Sequence, residues 1–262
     1  MERGVVDRKI LVLQQGWHEE DVSVIEEDRL RLCVNGAELA TIMCSPVHRD
    51  WLALGFLKNE NFLQSLSEVE DIRISAEGCC VDIWLNHAIR KPERKIITSG
   101  CGGGITFDTE VETIAPVLDD TRISAETLFT GLDALHPRDG LYSRARGVHA
   151  AGFMRVKEMV AVVEDIGRHN TIDKLTGYCL SHGIETEGLI MLATGRISSE
   201  MIRKAARLGC PLVASRHSPT SLSVQLAERW NITLIGYVRR NSMRIYTHPA
   251  RICSELPVRA GG

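Results

Sequence analysis

The chain has 262 residues, 44% of them hydrophobic and 25% charged, which is the composition of a folded globular protein with one large core or two modest ones. A formal net charge of -3 with no polybasic tail gives a nucleic-acid or membrane-surface role no electrostatic support. The N-terminus MERGVVDRKI has no apolar leader-like run and no stretch approaches membrane-spanning length, so cytoplasmic residence is expected.

In chain order, residues 9–16 read as a short edge strand. Residues 28–44 read as a hairpin: Leu30, Leu32 and Val34 alternate with Arg31 and Cys33, and Asn35-Gly36 supplies the turn. The apolar spacing of Trp51, Leu54 and Leu57 predicts a helix over 50–63, followed by strands at 69–76 and 79–85. A polar connector, 88–98, leads into Ser99-Gly100-Cys101-Gly102-Gly103-Gly104, the clearest loop in the sequence. Residues 105–122 read as extended or irregular, and Ser124 reads as the N-cap of a helix reaching about Leu135.

The C-terminal part alternates strand and helix. Strands are expected at 148–154, 159–164, 189–193, 211–214 and 232–238, with an edge strand at 243–247. Helices are expected at 170–182, from Ser198 through Leu208, and from Thr220 to Trp230. Short connections between them predict a mostly parallel sheet covered by helices. The expected division is a smaller α+β region over 1–110 and an α/β core over 111–262.

Eight cysteines are scattered at 33, 44, 79, 80, 101, 179, 210 and 253, several beside aliphatic residues, with no CxxC. They read as free thiols in a reducing compartment rather than a disulfide framework or zinc ribbon. Cys101 stands apart, because a glycine-rich loop leaves its sulfur approachable and offers backbone N–H groups that favour thiolate. A tight turn with an incidental cysteine is the competing reading. The loop is neither a P-loop, lacking Gly-Lys-Ser/Thr, nor a dinucleotide fingerprint.

Three polar segments sit where a strand gives way to a helix: Glu164–Asn170, Thr194–Glu200 and Ser215–Thr220. Such junctions, with open helix N-termini, suit phosphate groups. Arg168 and Arg196 are candidate phosphate ligands, while Ser198, Asp165 and Asn170 serve equally well as helix caps. Together the three suggest a site for a large phosphorylated or nucleotide-like ligand. His149, near a strand start, reads more readily as structural than as a base. His149, His169 and His217 form no compact metal-ligand motif. Arg239, Arg240 and Arg244 make a local basic patch that reads as a solvated edge.

These segments, with Val34-Asn35-Gly36, Gly55-Phe56-Leu57, His149-Ala150-Ala151-Gly152-Phe153 and Asp173-Lys174, resemble the FdhD family over nearly the whole length. The resemblance implies a sulfurtransferase in which a cysteine desulfurase loads a persulfide onto Cys101. The sulfur would pass to the molybdenum (or tungsten) bis-pyranopterin guanine dinucleotide cofactor, Mo-bisMGD, of formate dehydrogenase. It further implies a homodimer, a cytidine-deaminase-like three-layer C-terminal core, and recognition of the cofactor's guanine nucleotide parts, hence of GDP-like nucleotides. Carried onto this sequence, the cofactor contacts are His149, Arg168, His169, Arg196, Ser198, Arg216, His217, Ser218 and Thr220. Many family members have Cys-x-x-Cys in the reactive loop, and here Gly104 replaces the second cysteine. One thiol still suffices for persulfide exchange. A deaminase-type hydrolase and a cofactor-binding chaperone without sulfur transfer are the rival readings.

Overall fold

A ribbon opens the chain: β1 (Val5–Leu13) and β2 (Trp17–Ile25) pair antiparallel around a turn at Gln15 and Gly16, both at positive φ. The computed structural model describes residues 4–89 and 114–253 together with the short strands at 95–97 and 105–107. Sequence reading found only part of β1 and none of β2. The ribbon is largely solvent-facing, with Leu11 and Leu13 each 66% exposed and Trp17 71% exposed, so neither face shows the alternation that marks a half-buried strand. Lys9 and Glu19 pair across it at 3.3 Å.

The hairpin at Asn35-Gly36 forms as expected between β3 (Asp28–Val34) and β4 (Ala37–Cys44). Both turn residues have positive φ, 51° and 80°, the geometry that favours Asn-Gly. After α1 (Arg49–Asn59) come β5 (Val69–Ile74) and β6 (Cys80–Leu85), and the four strands order as β4-β3-β6-β5. One face of this sheet buries Leu30, Leu32, Val34, Val81, Ile83 and Leu85 against Leu52, Leu54, Phe56 and Leu57 of α1. Burying each such side chain contributes about 1.5–3 kcal/mol. The predicted helix stops four residues early, at Asn59, because Asn61 adopts positive φ. The short strands β7 (Lys95–Ile97) and β8 (Ile105–Phe107) pair antiparallel.

Beyond them lie β9 (Ile123–Ser124), α2 (Ala125–Asp133), α3 (Leu141–Ala145), β10 (His149–Arg155), β11 (Glu158–Asp165) and α4 (Arg168–Ser181). The alternating part follows as β12 (Ile190–Ala193), α5 (Ser199–Arg207), β13 (Leu212–Ser215), α6 (Ser221–Arg229), β14 (Thr233–Arg239) and β15 (Ser242–Ile245). A final short strand, β16 (Ile252–Cys253), runs parallel to β9.

The large sheet has the order β11-β10-β12-β13-β14-β15. It is mixed rather than mostly parallel: β12, β13 and β14 are parallel, and β15 is antiparallel to β14. Helical crossovers precede β13 and β14, whereas the two-residue links before β11 and β15 are too short for a crossover. The chain separates into two compact units from interleaved segments, 1–113, 136–151 and 161–185 in one, 114–135, 152–160 and 186–262 in the other. Among the described residues, no helix is long and apolar enough to cross a membrane.

Candidate functional site

In the first unit, the segment from Glu164 to Lys174 is held by a buried polar network. The Asp165 carboxylate lies 2.6 Å from Lys174 Nζ, and both side chains have 0% exposure. Asp165 also accepts the Ser45 N–H at 3.1 Å, the Gly167 N–H at 2.7 Å and the Asn170 amide at 2.8 Å. Asn170 donates as well to the Met43 carbonyl, Lys174 to the Ser45 carbonyl, and Ile166 N–H to Ser45 Oγ. Asp165, Asn170 and Lys174 therefore lock the end of β4 onto the start of α4. A buried carboxylate with this many donors has its charge satisfied internally.

Glu164 has a different task. Its carboxylate accepts the N–H groups of Leu141 at 2.5 Å and Tyr142 at 3.3 Å, capping α3 from a distant part of the chain. A Cβ at Gly140 would meet Glu164 Oε2 at 2.5 Å, so any larger residue there would push the capping carboxylate aside. Burial pushes the Glu164 carboxyl above the usual carboxylate range, against the opposing pull of those backbone donors. The stability linked to this raised pKa is fully present below the ordinary glutamate range and is lost as pH rises through the folded value. Glu164→Gln is accordingly expected to flatten the fall of melting temperature as pH rises above the ordinary glutamate range. An unchanged pH slope in the variant would remove Glu164 as its source.

In the second unit two of the expected junctions come together. Ser198 caps α5 by accepting the Met201 N–H at 3.4 Å. Thr220 and Ser223 form a reciprocal cap on α6, at 3.3 and 2.9 Å. The loops themselves are stitched side by side: Ile197 N–H donates to the Ser218 carbonyl at 3.2 Å, and Thr220 N–H to the Ile197 carbonyl at 3.0 Å. Ser215 Oγ donates to the Gly195 carbonyl and accepts the His217 N–H. Two helix N-termini thus open beside each other at the carboxyl ends of parallel strands, a placement that favours anionic groups.

Arg196, His217 and Thr220 are exposed there, while Ser198, Arg216 and Ser218 are half-buried. Arg216 is tied back to the end of α2, donating to the Leu132 carbonyl at 3.0 Å and to Asp133 at 2.7 Å. Arg239 donates to the Arg216 carbonyl, and Arg244 lies 4.4 Å from the centre of the Tyr237 ring. His149, Arg168 and His169 belong to the first unit, where His149 is half-buried at the start of β10 and His169 is 7% exposed in the first turn of α4. Cys101 and Gly102–Gly104 lie outside the described residues. Among the described residues no group of three or more potential metal ligands converges.

Sequence reading missed other polar features. A cavity of about 500 Å³ in the second unit is lined by Asp119, Asp120, Arg122, Asn231, His248 and Arg251, among others. Arg251 is fixed by donating to the Asp119 carbonyl at 3.1 and 3.0 Å. The acidic pair Asp119-Asp120 was the available signal, but it falls in a stretch without periodicity.

The comparisons agree with this architecture. The chain is 38% identical over 235 residues to the sulfur carrier protein FdhD of Bacillus pumilus, covering 87% of this chain and 90% of that protein. It is 33% identical over 257 residues to the sulfur carrier protein FdhD of Bacillus subtilis, covering 93% and 98%. A crystal structure from Desulfotalea psychrophila, described as a formate dehydrogenase accessory protein, superimposes with a TM-score of 0.81 at 24% identity, covering 96% of this chain and 100% of that one. The FdhD/NarQ family model matches residues 25–253, and the chain belongs to that family.

Proposed function

We propose that the chain is a sulfurtransferase that carries persulfide sulfur from a cysteine desulfurase to the Mo-bisMGD cofactor of formate dehydrogenase, using Cys101 as carrier. The observation that carries this reading is 38% identity, over 90% of its length, to a protein named a sulfur carrier. The Cys101 thiolate attacks the outer sulfur of the desulfurase persulfide, and the donor thiolate leaves. The outer sulfur would then pass to the metal centre of the cofactor, which is the substrate here, as the S–S bond breaks and the Cys101 thiolate leaves. Gly104 removes a partner thiol from the loop, so each transfer runs through one sulfur.

The paired N-termini of α5 and α6 suit the phosphates of the cofactor's guanine nucleotide parts, with Arg196, Ser198, His217, Ser218 and Thr220 as contacts. Arg216 supports the same loop through its anchorage on α2. His149, Arg168 and His169 are further assigned contacts, each open to test by substitution and nucleotide titration. We assign the second unit's sheet to a cytidine-deaminase-like core without deaminase chemistry, since fold does not dictate reaction. Cytoplasmic residence, a homodimer, and a desulfurase and a formate dehydrogenase as partners belong to the same reading.

Intact-protein mass spectrometry after incubation with a cysteine desulfurase and cysteine tests it. One added sulfur should map to Cys101 and disappear on reduction. Cys101→Ala should lose that adduct and reduce formate dehydrogenase maturation to background while GDP binding is kept. Full maturation by Cys101→Ala would instead leave a cofactor-binding chaperone.

A further inference from the structure

The cavity of about 500 Å³ in the second unit lies away from the proposed nucleotide contacts. β13 and β14 run parallel, and α6 joins the carboxyl end of β13 to the amino end of β14. The N-terminus of α6 and the residue just past its end, Asn231, are therefore at opposite edges of the sheet. β15 is antiparallel to β14 and returns the chain to the amino edge, where His248 and Arg251 follow. Asn231, His248 and Arg251 line the cavity there, with Asp119, Asp120 and Arg122. Its walls are tied by the Asn231 amide, which donates to the Val117 carbonyl at 2.8 Å, and by His248 Nε2, 3.0 Å from the Glu228 carbonyl in the last turn of α6.

Charges of both signs face this cavity without neutralising one another. Arg251 is only 8% exposed. Its Nε and Nη2 donate to the Asp119 carbonyl at 3.1 and 3.0 Å, and its Nη1 to Thr233 Oγ1 at 3.3 Å. Both acceptors are neutral oxygens, and two of the five guanidinium N–H groups are left over. Asp119 and Asp120 attract Arg251 only at longer range. Among the described residues none of Asp119, Asp120, Arg122 and Arg251 is in an ion pair. A buried guanidinium with N–H groups to spare and no paired carboxylate is complementary to an anion. The two aspartates, beside the C-terminal end of α6, are complementary to a cation. A simple anion would meet the aspartates and a simple cation the arginines, each at a cost. A ligand carrying both charges, held a fixed distance apart, suits both walls.

We propose that this cavity binds a free α-amino acid as its zwitterion, with the carboxylate on Arg251 and the ammonium at Asp119 and Asp120. Arg122, exposed on the same wall, is a second donor for the carboxylate. Leu118 is 89% exposed there, and an aliphatic side chain on the ligand would cover it. The volume lies within the roughly 300–1,000 Å³ of small-molecule sites. Binding is non-covalent and uses no cysteine, so the proposal does not rest on the sulfurtransferase reading.

Amide NMR titration of the full chain with L-leucine tests it. The controls are 4-methylpentanoate, which lacks the ammonium, and 3-methylbutylamine, which lacks the carboxylate. L-Leucine should bind at least ~10-fold more tightly than either, the worth of one charge-assisted contact. Shifts should centre on residues 118–122, 231 and 248–251. Asp120→Asn, a change at an exposed position, should weaken L-leucine by a similar factor while 4-methylpentanoate binds no less tightly. Arg251→Gln should remove both, but it also releases the Asp119 carbonyl, so Asp120→Asn decides the matter. Saturating GDP should leave the L-leucine affinity unchanged. No saturable shift up to ~10 mM L-leucine, either control binding as tightly, an Asp120→Asn variant that binds L-leucine like the parent, shifts centred elsewhere, or displacement by GDP would each overturn the proposal. Failure of GDP itself to bind would count against the cofactor reading and not against this one.

Discussion

Gly177→Ala should strongly destabilise the first unit. In isolation the change would favour the helix, since alanine exceeds glycine by about 1 kcal/mol in a helix interior. Packing reverses the sign. A Cβ at Gly177 in α4 would fall on the backbone carbonyl of Trp51 in α1, and a Cβ at Gly55 in α1 would fall on the carbonyl of Asp173 in α4. The two glycines are reciprocal, each making room for the other helix's backbone, and neither obstacle is a side chain that can swing away. Forced separation of α1 and α4 would also pull on Asn59, whose amide donates to Asp173 at 2.7 Å and to Thr176 at 3.1 Å. The expected loss is at least ~3 kcal/mol at either position, a large share of the roughly 5–15 kcal/mol that holds a domain together. Urea unfolding followed by tryptophan fluorescence checks it. Gly183→Ala, just past the same helix at φ +61° with open space around it, is the control and should cost only about 1–2 kcal/mol. Comparable losses at 177 and 183 would show that backbone conformation, not helix approach, is the cause.

Those glycines mark the limit of what is legible in the sequence. Helix starts with local signals were readable: Ser124, Ser198 and Thr220 each cap the helix that follows, as their side chains imply. The Asn35-Gly36 turn was equally local. Features whose partners lie far along the chain were not readable. Helix α3 has only Gly140 at its N-cap and takes its cap from Glu164, so nothing beside it announces a helix. The need for glycine at 55 and 177 comes only from the close approach of α1 and α4. The 3.9 Å approach of the Cys33 and Cys80 thiols depends on the parallel register of β3 with β6. Of the three strand-to-helix junctions, the two in the second unit are hydrogen-bonded to each other through Ile197, Ser218 and Thr220. The third, around Asp165, turned out to have its donors and acceptors largely engaged with β4, because Ser45 and Met43 could not be placed beside it from sequence alone.

That engagement sets the second large effect, on Lys174. Lys174→Met should destabilise the chain by about 3–5 kcal/mol, because it leaves a fully buried Asp165 carboxylate without its cation. Asp165→Leu should do comparable damage by stranding the Lys174 ammonium. The informative variant is the pair of changes together. Where a buried ion pair stands alone, replacing both members with apolar residues is often neutral or better. Here it should not be, because Asp165 also accepts the Ser45 N–H, the Gly167 N–H and the Asn170 amide. Each donor left buried without an acceptor costs about 1–3 kcal/mol, so the double variant should remain several kcal/mol below the parent. A double variant as stable as the parent, by urea unfolding, would show that the pair acts as an isolated salt bridge. The expected shortfall would show instead that Asp165 fastens β4 to α4 through its hydrogen bonds, and that the Lys174 charge is there to make a buried carboxylate tolerable.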